Sequence, residues 1–311
     1  MNMSEIINWL LEGDVGIQYQ VYRDLLGEDR LELQRKIEHQ GWGKRFLSNQ
    51  NSDGHWGKKF YQPKWISTHY TLLDLRNLCI KPANPKIFII ISMIMSDEKG
   101  NDGGILPIGM DQICDVCVNG MFLNYASYFK SDVQKLKSII DFILSQKLAD
   151  GGFNCEYNSL KGAAHSSLHS TISVLEGITE FEKNGYQYRL EELLTAKKSS
   201  IEFILKHQLY RSHRTGEIIN KSFLKFPYPS RWYYDILRAL DYFQYSNTDF
   251  DERMQPAIDI LFQKRKKNHT WNLNSKYPGK VHFDMEIAGK PSRWNTLRAL
   301  RVLKHFGIDN L

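Results

Sequence analysis

The chain has 311 residues, 42% of them hydrophobic and 13% aromatic, which is enough apolar material for a large core and excludes a disordered or low-complexity chain. Lys plus Arg exceed Asp plus Glu by 41 − 35 = 6, but the charges are scattered. The only dense run, Lys264 to Lys267, reads as a solvated helix end, so no nucleic-acid partner is expected.

Helical periodicity accounts for nearly all of the chain, and no stretch alternates convincingly with a period of two. The amino terminus, MNMSEIINWLLEGD, lacks the basic flank and small-residue cleavage site of a signal peptide, which implies a cytoplasmic protein. Its four cysteines, Cys79, Cys114, Cys117 and Cys155, are then expected to be reduced. Asp14 caps a first helix that runs to a stop at Gly27, and a second spans about 31–49. Ser67 and Thr68 cap HYTLLDLRNL. The return helix at 85–95 holds the most apolar window, IFIIISMIM, which is far shorter than the roughly 20 residues a membrane span needs. No transmembrane segment is expected, while peripheral membrane contact stays open. Further helices are expected at about 117–129, 133–146, 165–181 and 190–208. The last two units each begin with Pro-Ser-Arg-Trp, at 229–232 and 291–294, where Ser230 or Ser292 can cap the helix starting at the next residue.

An Asp-Gly turn recurs through this pattern. Asp53-Gly54-His55-Trp56, Asp102-Gly103-Gly104-Ile105 and Asp150-Gly151-Gly152-Phe153 lie 49 and 48 residues apart. A fixed period of this size marks an array of supersecondary units, each of which needs its neighbours to cover its apolar face. Six helices of one class begin near Ile17, His69, Cys117, His165, Trp232 and Trp294, with five return helices between them. The expected fold is all-α, a single (α/α)6 toroid over 1–311, its inner helices parallel around a central cavity. Their amino termini would share one rim carrying Trp65, His69, Asp115, Cys117, His165, Arg231, Trp232, Arg293 and Trp294. Aromatic residues with a few convergent polar groups are the usual lining of small-molecule sites.

An aromatic-aliphatic pair, then Gln, then Gly-x-Trp or Gly-x-Phe occurs as Phe46-Leu47, Gln50, Gly54-His55-Trp56 and as Phe142-Ile143, Gln146, Gly151-Gly152-Phe153. Degraded forms are Phe203-Ile204 with Gln208, and Ile260-Leu261 with Gln263 and Trp271. This resembles the QW repeat of squalene and oxidosqualene cyclases, whose α/α toroid is shared by the β-subunits of protein prenyltransferases. A local match is similar to the latter: Asp115-Val116-Cys117 opens one inner helix and His165 the next. The resemblance implies an enzyme acting on an isoprenoid or other apolar substrate, with zinc held by Asp115, Cys117 and His165. Thiolate, imidazole and carboxylate are ordinary zinc donors, and three ligands leave a fourth position open. Cys114, Cys155 and His169 are alternate ligands, and a closed set of Cys114, Cys117, Cys155 and His165 would be structural.

The chain departs from that family where Gly109 to Ile113 replace the basic residues that hold an isoprenoid diphosphate, leaving Arg231 and Arg293 as the rim cations. No Asp-x-Asp-Asp acid of the triterpene cyclases is present, nor the Cys-His-Gly motif of the toroidal lanthionine cyclases. Two other readings stay open: a non-catalytic lipid-binding or protein-interaction toroid, and a glycoside-active (α/α)6 enzyme. The latter needs paired carboxylic acids, for which Asp53, Asp111, Asp150, Glu156 and Asp284 are candidates, although the Asp-Gly acids also serve as turn formers. Sequence leaves the oligomeric state open.

Overall fold

The computed structural model describes residues 1–107, 113–155 and 162–308. It is 54% helix and 3% strand, so the chain is all-α as expected. Its contacts divide it into two compact units, one of 1–49, 77–81 and 205–311 and a second of 50–76 and 82–204.

Unit one opens with α1 (Met3–Leu11), a helix the periodicity reading passed over, closed by a capping box between Asn2 and Glu5. Asp14 caps α2 (Val15–Gln20) as expected, accepting the Gly16 N–H at 2.9 Å. The chain then widens into a π-helical stretch, Val21–Leu26, before stopping at Gly27 in the left-handed region. The single helix expected over 31–49 is broken into α3 (Leu31–Lys36) and α4 (Gly41–Ser48). The break lies at Gly41, whose φ is +58°, and it brings the Trp42 N–H to the second oxygen of the Asp14 carboxylate at 2.7 Å.

Unit two contains α5 (Thr68–Asn77, its last residue assigned to unit one), α6 (Pro85–Asp97), α7 (Val116–Tyr128), α8 (Val133–Ser145), α9 (Leu168–Lys183) and most of α10 (Leu190–Lys206). In α6 the apolar run buries Ile87, Ile90, Ile91, Ile94 and Met95 at helical spacing and leaves Phe88 and Ile89 exposed. Among the described residues no helix is long and apolar enough to cross a membrane. Helices α7 and α9 run parallel and nearly touch. A Cβ on Gly120 would lie 2.7 Å from the Ser173 backbone, one on Gly177 would lie 2.4 Å from the Gly120 carbonyl, and the Asn124 side-chain amide donates to the Glu176 carbonyl at 3.1 Å. Arg76 on α5 pairs with the buried Glu180 on α9.

Unit one resumes with α11 (Ile236–Tyr245), α12 (Gln255–Lys264), a two-residue ribbon of β1 (Trp271–Asn272) and β2 (Pro291–Ser292), and α13 (Arg293–Phe306). Ser292 caps α13 as expected, accepting the Asn295 N–H at 2.9 Å. Ser230 does not cap the preceding helix. Arg231 has φ +58°, so helix cannot propagate from it, and α11 starts four residues beyond Trp232 with the Asp235 carboxylate accepting the Arg238 N–H at 2.9 Å. Arg301 of α13 joins Asp24 at 3.0 Å to Asp241 of α11 at 2.6 Å.

The repeat has one structural device. The first glycine after each Asp lies at positive φ: Gly54 at +86°, Gly103 at +90° and Gly151 at +103°. The residue that follows the turn is then clasped by a polar side chain of a helix within the same unit. Trp56 N–H is held by the Thr68 hydroxyl at 3.0 Å, Ile105 N–H by the Asn119 carbonyl oxygen at 2.7 Å and Phe153 N–H by the Thr171 hydroxyl at 3.0 Å. In unit one the Trp271 N–H meets Thr296 Oγ1 at 3.1 Å, so the degraded fourth copy keeps the clasp.

Candidate functional site

The expected rim residues fall into two clusters, one in each unit. In unit two, Asp115 occupies the cap position of α7 and Cys117 its first turn. The neighbouring Cys155 thiol, burial and the Asp115 charge push the Cys117 pKa well up. Tyr61 and Lys64 belong to the same cluster. Burial, with the Cys117 and Asp115 charges, raises the Tyr61 phenol above its ordinary value, and burial lowers the Lys64 ammonium while both groups oppose that shift. The Tyr61 and Tyr70 hydroxyls are 3.0 Å apart, and Trp65 meets Tyr70 edge-on at 4.9 Å.

His69 is fully buried, with Nδ1 3.2 Å from the Tyr125 hydroxyl and Nε2 without a hydrogen-bond partner. Burial and the Lys64 charge lower its pKa to about 3, so it is a neutral core imidazole and not a rim ligand. His165 lies in the turn before α9 and is exposed, and its carbonyl receives the Asn154 amide at 2.9 Å. Helix α9 starts at Leu168 with Ser167 as its cap, and His169 is half-buried on its first turn. Cys114 is buried apart from this pair. Its N–H goes to Asp102 at 2.8 Å, and its sulfur fills the space a side chain at Gly100 would need. Among the described residues no three His, Cys, Asp or Glu side chains are grouped to hold a metal ion. The arrangement gathers two thiols near one carboxylate, with His165 exposed in the turn before α9.

The carboxylic acids weighed for glycoside chemistry are mostly engaged elsewhere. Asp53 accepts the His55 N–H at 2.9 Å, Asp150 accepts from the Ser166 N–H at 2.8 Å and from its hydroxyl, and exposed Asp284 pairs with Lys276 at 2.8 Å. Asp111 and Glu156, like the 109–112 stretch, lie outside the described residues.

The unit-one cluster is richer than its sequence suggested. Residues 273–290 form a long loop between β1 and β2, and Glu286 fastens it. Its carboxylate accepts the Arg293 N–H at 2.7 Å, the Trp294 N–H at 3.3 Å and the Ser292 hydroxyl, closing the amino terminus of α13. Burial raises the Glu286 pKa against those bonds. The loop carries Tyr277, which stacks on Tyr233 with ring centroids 3.6 Å apart and 11° between planes; Tyr233 stacks in turn on Trp232 at 3.9 Å. A second stack places buried Trp294 against Tyr228 at 4.7 Å and Trp42 at 6.1 Å. Apart from Trp294, these rings are half-buried.

His282 of the same loop meets Phe46 edge-on at 5.6 Å, and burial with the Arg231 and Lys280 charges lowers its pKa to about 4. Tyr277 is raised above its ordinary value by burial, then by Asp235 and Tyr233. Arg231 is buried, whereas Arg293 is spent on bracing α1: its Nε donates to the Trp9 carbonyl at 2.8 Å and its guanidinium lies over the Trp9 ring. Sequence reasoning missed Tyr228, Tyr233, Tyr277, His282 and Glu286. The aromatic density of Phe226 to Tyr234 was the available signal for the first two.

No family model matches this chain, and no curated protein matches it. Among solved structures it is similar to a polysaccharide lyase, with a TM-score of 0.51 at 13% sequence identity over 97% of this chain and 96% of that one. At that identity the likeness is one of fold alone.

Proposed function

We propose that the chain binds and cleaves a polysaccharide, using the unit-one cluster. The observation that carries this reading is the stack Trp232, Tyr233, Tyr277 with Arg231 and His282 in the same cluster. Sugar rings present C–H faces that pack on aromatic rings, and their hydroxyls and carboxylates take hydrogen bonds from the polar edges. The likeness in fold to a polysaccharide lyase supports the same reading, as does the basic charge balance if the polymer is acidic. It is the glycoside-active alternative of the toroid expectation; the parallel packing of α7 and α9 within unit two is consistent with that architecture.

In this mechanism a carboxylated sugar places its acid group against Arg231 and Lys280, which stabilise the charge that develops when the neighbouring carbon loses its proton. His282 is neutral above about pH 4 and accepts that proton. Tyr277, held protonated, gives a proton to the departing glycosidic oxygen, and the ring gains a double bond. The test is incubation of the untagged chain with a panel of acidic and neutral polysaccharides, following the ultraviolet absorbance of unsaturated sugar ends and the reducing ends. New absorbance with an acidic polymer supports elimination; reducing ends without it mean hydrolysis; neither product from any polymer sinks the proposal.

A second reading keeps the isoprenoid substrate and zinc implied by the sequence resemblance. It is favoured by Asp115 and Cys117 sharing the amino-terminal turn of α7. Elemental analysis of the untagged protein and turnover of prenyl donors test it, and a metal-free, inactive protein would remove it.

A further inference from the structure

The two thiols of unit two are brought together by helix packing that the polysaccharide reading does not use. The close approach of α7 and α9 sets their register: Gly120 faces Ser173, and Gly177 meets the Gly120 carbonyl and Leu123. One turn earlier on both helices, the same register puts Cys117 beside Ser170. Cys155 reaches that point from the segment after Phe153, with its sulfur 3.5 Å from the hydroxyl of Ser170, the residue the register sets beside Cys117. Its approach is fixed from behind, because Phe153 is clasped by Thr171 of α9 and its carbonyl accepts the Ser167 N–H at 2.8 Å. No disulfide is present, and both thiols are half-buried.

We propose that Cys117 and Cys155 are a site of reversible disulfide formation, tying the first turn of α7 to the segment that leads into α9. The oxidant is a small dialkyl disulfide such as oxidised glutathione. The Cys155 thiolate attacks one of its sulfurs, forming a mixed disulfide and releasing one thiolate. The Cys117 thiolate then attacks the Cys155 sulfur and expels the second small thiolate. Two protein thiols are oxidised by two electrons, one small disulfide is reduced, and the two protons leave on the two small thiols. The pair differs from Cys114, whose sulfur is packed against Gly100 and whose Cβ is packed against Gly104.

The test uses the untagged full chain, folded and treated with excess oxidised glutathione, then alkylated and mapped by peptide mass spectrometry. Wild type should lose two of its four thiols to a single Cys117–Cys155 link that dithiothreitol reverses. The Cys79→Ser/Cys114→Ser double variant, which retains only the pair, should form the same link; Cys155→Ser should form none while keeping the wild-type circular dichroism. Oxidised wild type should also unfold at a higher temperature than the reduced protein, a shift absent from Cys155→Ser. A Cys114–Cys117 link, a stable glutathione adduct on Cys155, or no reaction in the folded chain would each overturn the proposal.

Discussion

The Thr171 hydroxyl lies 3.0 Å from the Phe153 N–H, which it accepts, and 3.3 Å from the Phe153 carbonyl, to which it donates. Both residues are buried, so neither backbone group has water to fall back on. Thr171→Val keeps the shape and removes both bonds, leaving the buried Phe153 N–H unpaired while its carbonyl keeps the Ser167 N–H. A loss of about 1–3 kcal/mol in urea unfolding is expected. Thr171→Ser should recover most of it, and an unchanged midpoint in Thr171→Val would mean the clasp contributes nothing net.

The α7–α9 contact allows no side chain at its centre. At Gly120 an added methyl would meet backbone atoms of Ser173 and Val174 at 2.7 Å, and backbone cannot rotate aside as a flexible side chain can. Gly120→Ala should therefore cost about 3 kcal/mol or more, towards the upper end of overpacking penalties. Gly185→Ala provides a contrast in kind, since its φ is +82° but nothing lies near it, so its penalty is conformational and about 1 kcal/mol. Thermal denaturation of both should rank Gly120→Ala well below Gly185→Ala.

These two cases show what the sequence could and could not carry. Asp-Gly turns are legible because an Asp acceptor and a positive-φ glycine are local requirements, and the period between them exposed the repeat. The clasping Thr171 and Asn119 were not, because a polar residue on a helix looks the same whether it faces water or a buried amide. The Pro-Ser-Arg-Trp pair shows the limit of motif matching. Ser292 caps its helix and Ser230 does not, since Arg231 adopts a left-handed backbone that no local rule requires of arginine. His165 and Cys117 were paired by analogy, and no local signal announced that the Cys155 sulfur would meet Ser170 at the α7–α9 contact.

Glu286 gives a pH signature to the loop it fastens. Burial raises its pKa above 4.5 in the folded chain, so between 4.5 and that raised value the native state binds more protons than the unfolded one. Its contribution to stability therefore falls as pH rises through that window. Glu286→Gln retains an acceptor for the Arg293 N–H and carries no charge, so it should flatten this part of the stability profile. Glu286→Ala should leave the amino-terminal amides of α13 unpaired and speed hydrogen exchange across 273–290. Profiles of wild type and Glu286→Gln that stay parallel from pH 4 to 8 would refute the assignment.

His282 and Tyr277 should be separable by their kinetics if the loop is catalytic. The His282 pKa is lowered from 6.5 to about 4, so the unfolded state binds the extra proton between those values and the His282 contribution to stability is lost as pH falls from 6.5 towards 4. The same shift predicts an acidic limb for polymer cleavage near pH 4 in the free enzyme, because protonated His282 accepts nothing. His282→Gln should lower kcat by at least about 100-fold, the lower range of a general base, and abolish that limb. Tyr277→Phe keeps the stack on Tyr233 and removes only the acid, so KM should hold while kcat falls. Trp232→Ala, which strips one ring from the stack, should instead raise KM several-fold with kcat largely retained. Equal losses in kcat and KM for all three variants would mean that the loop positions something else and that the chemistry lies outside this cluster.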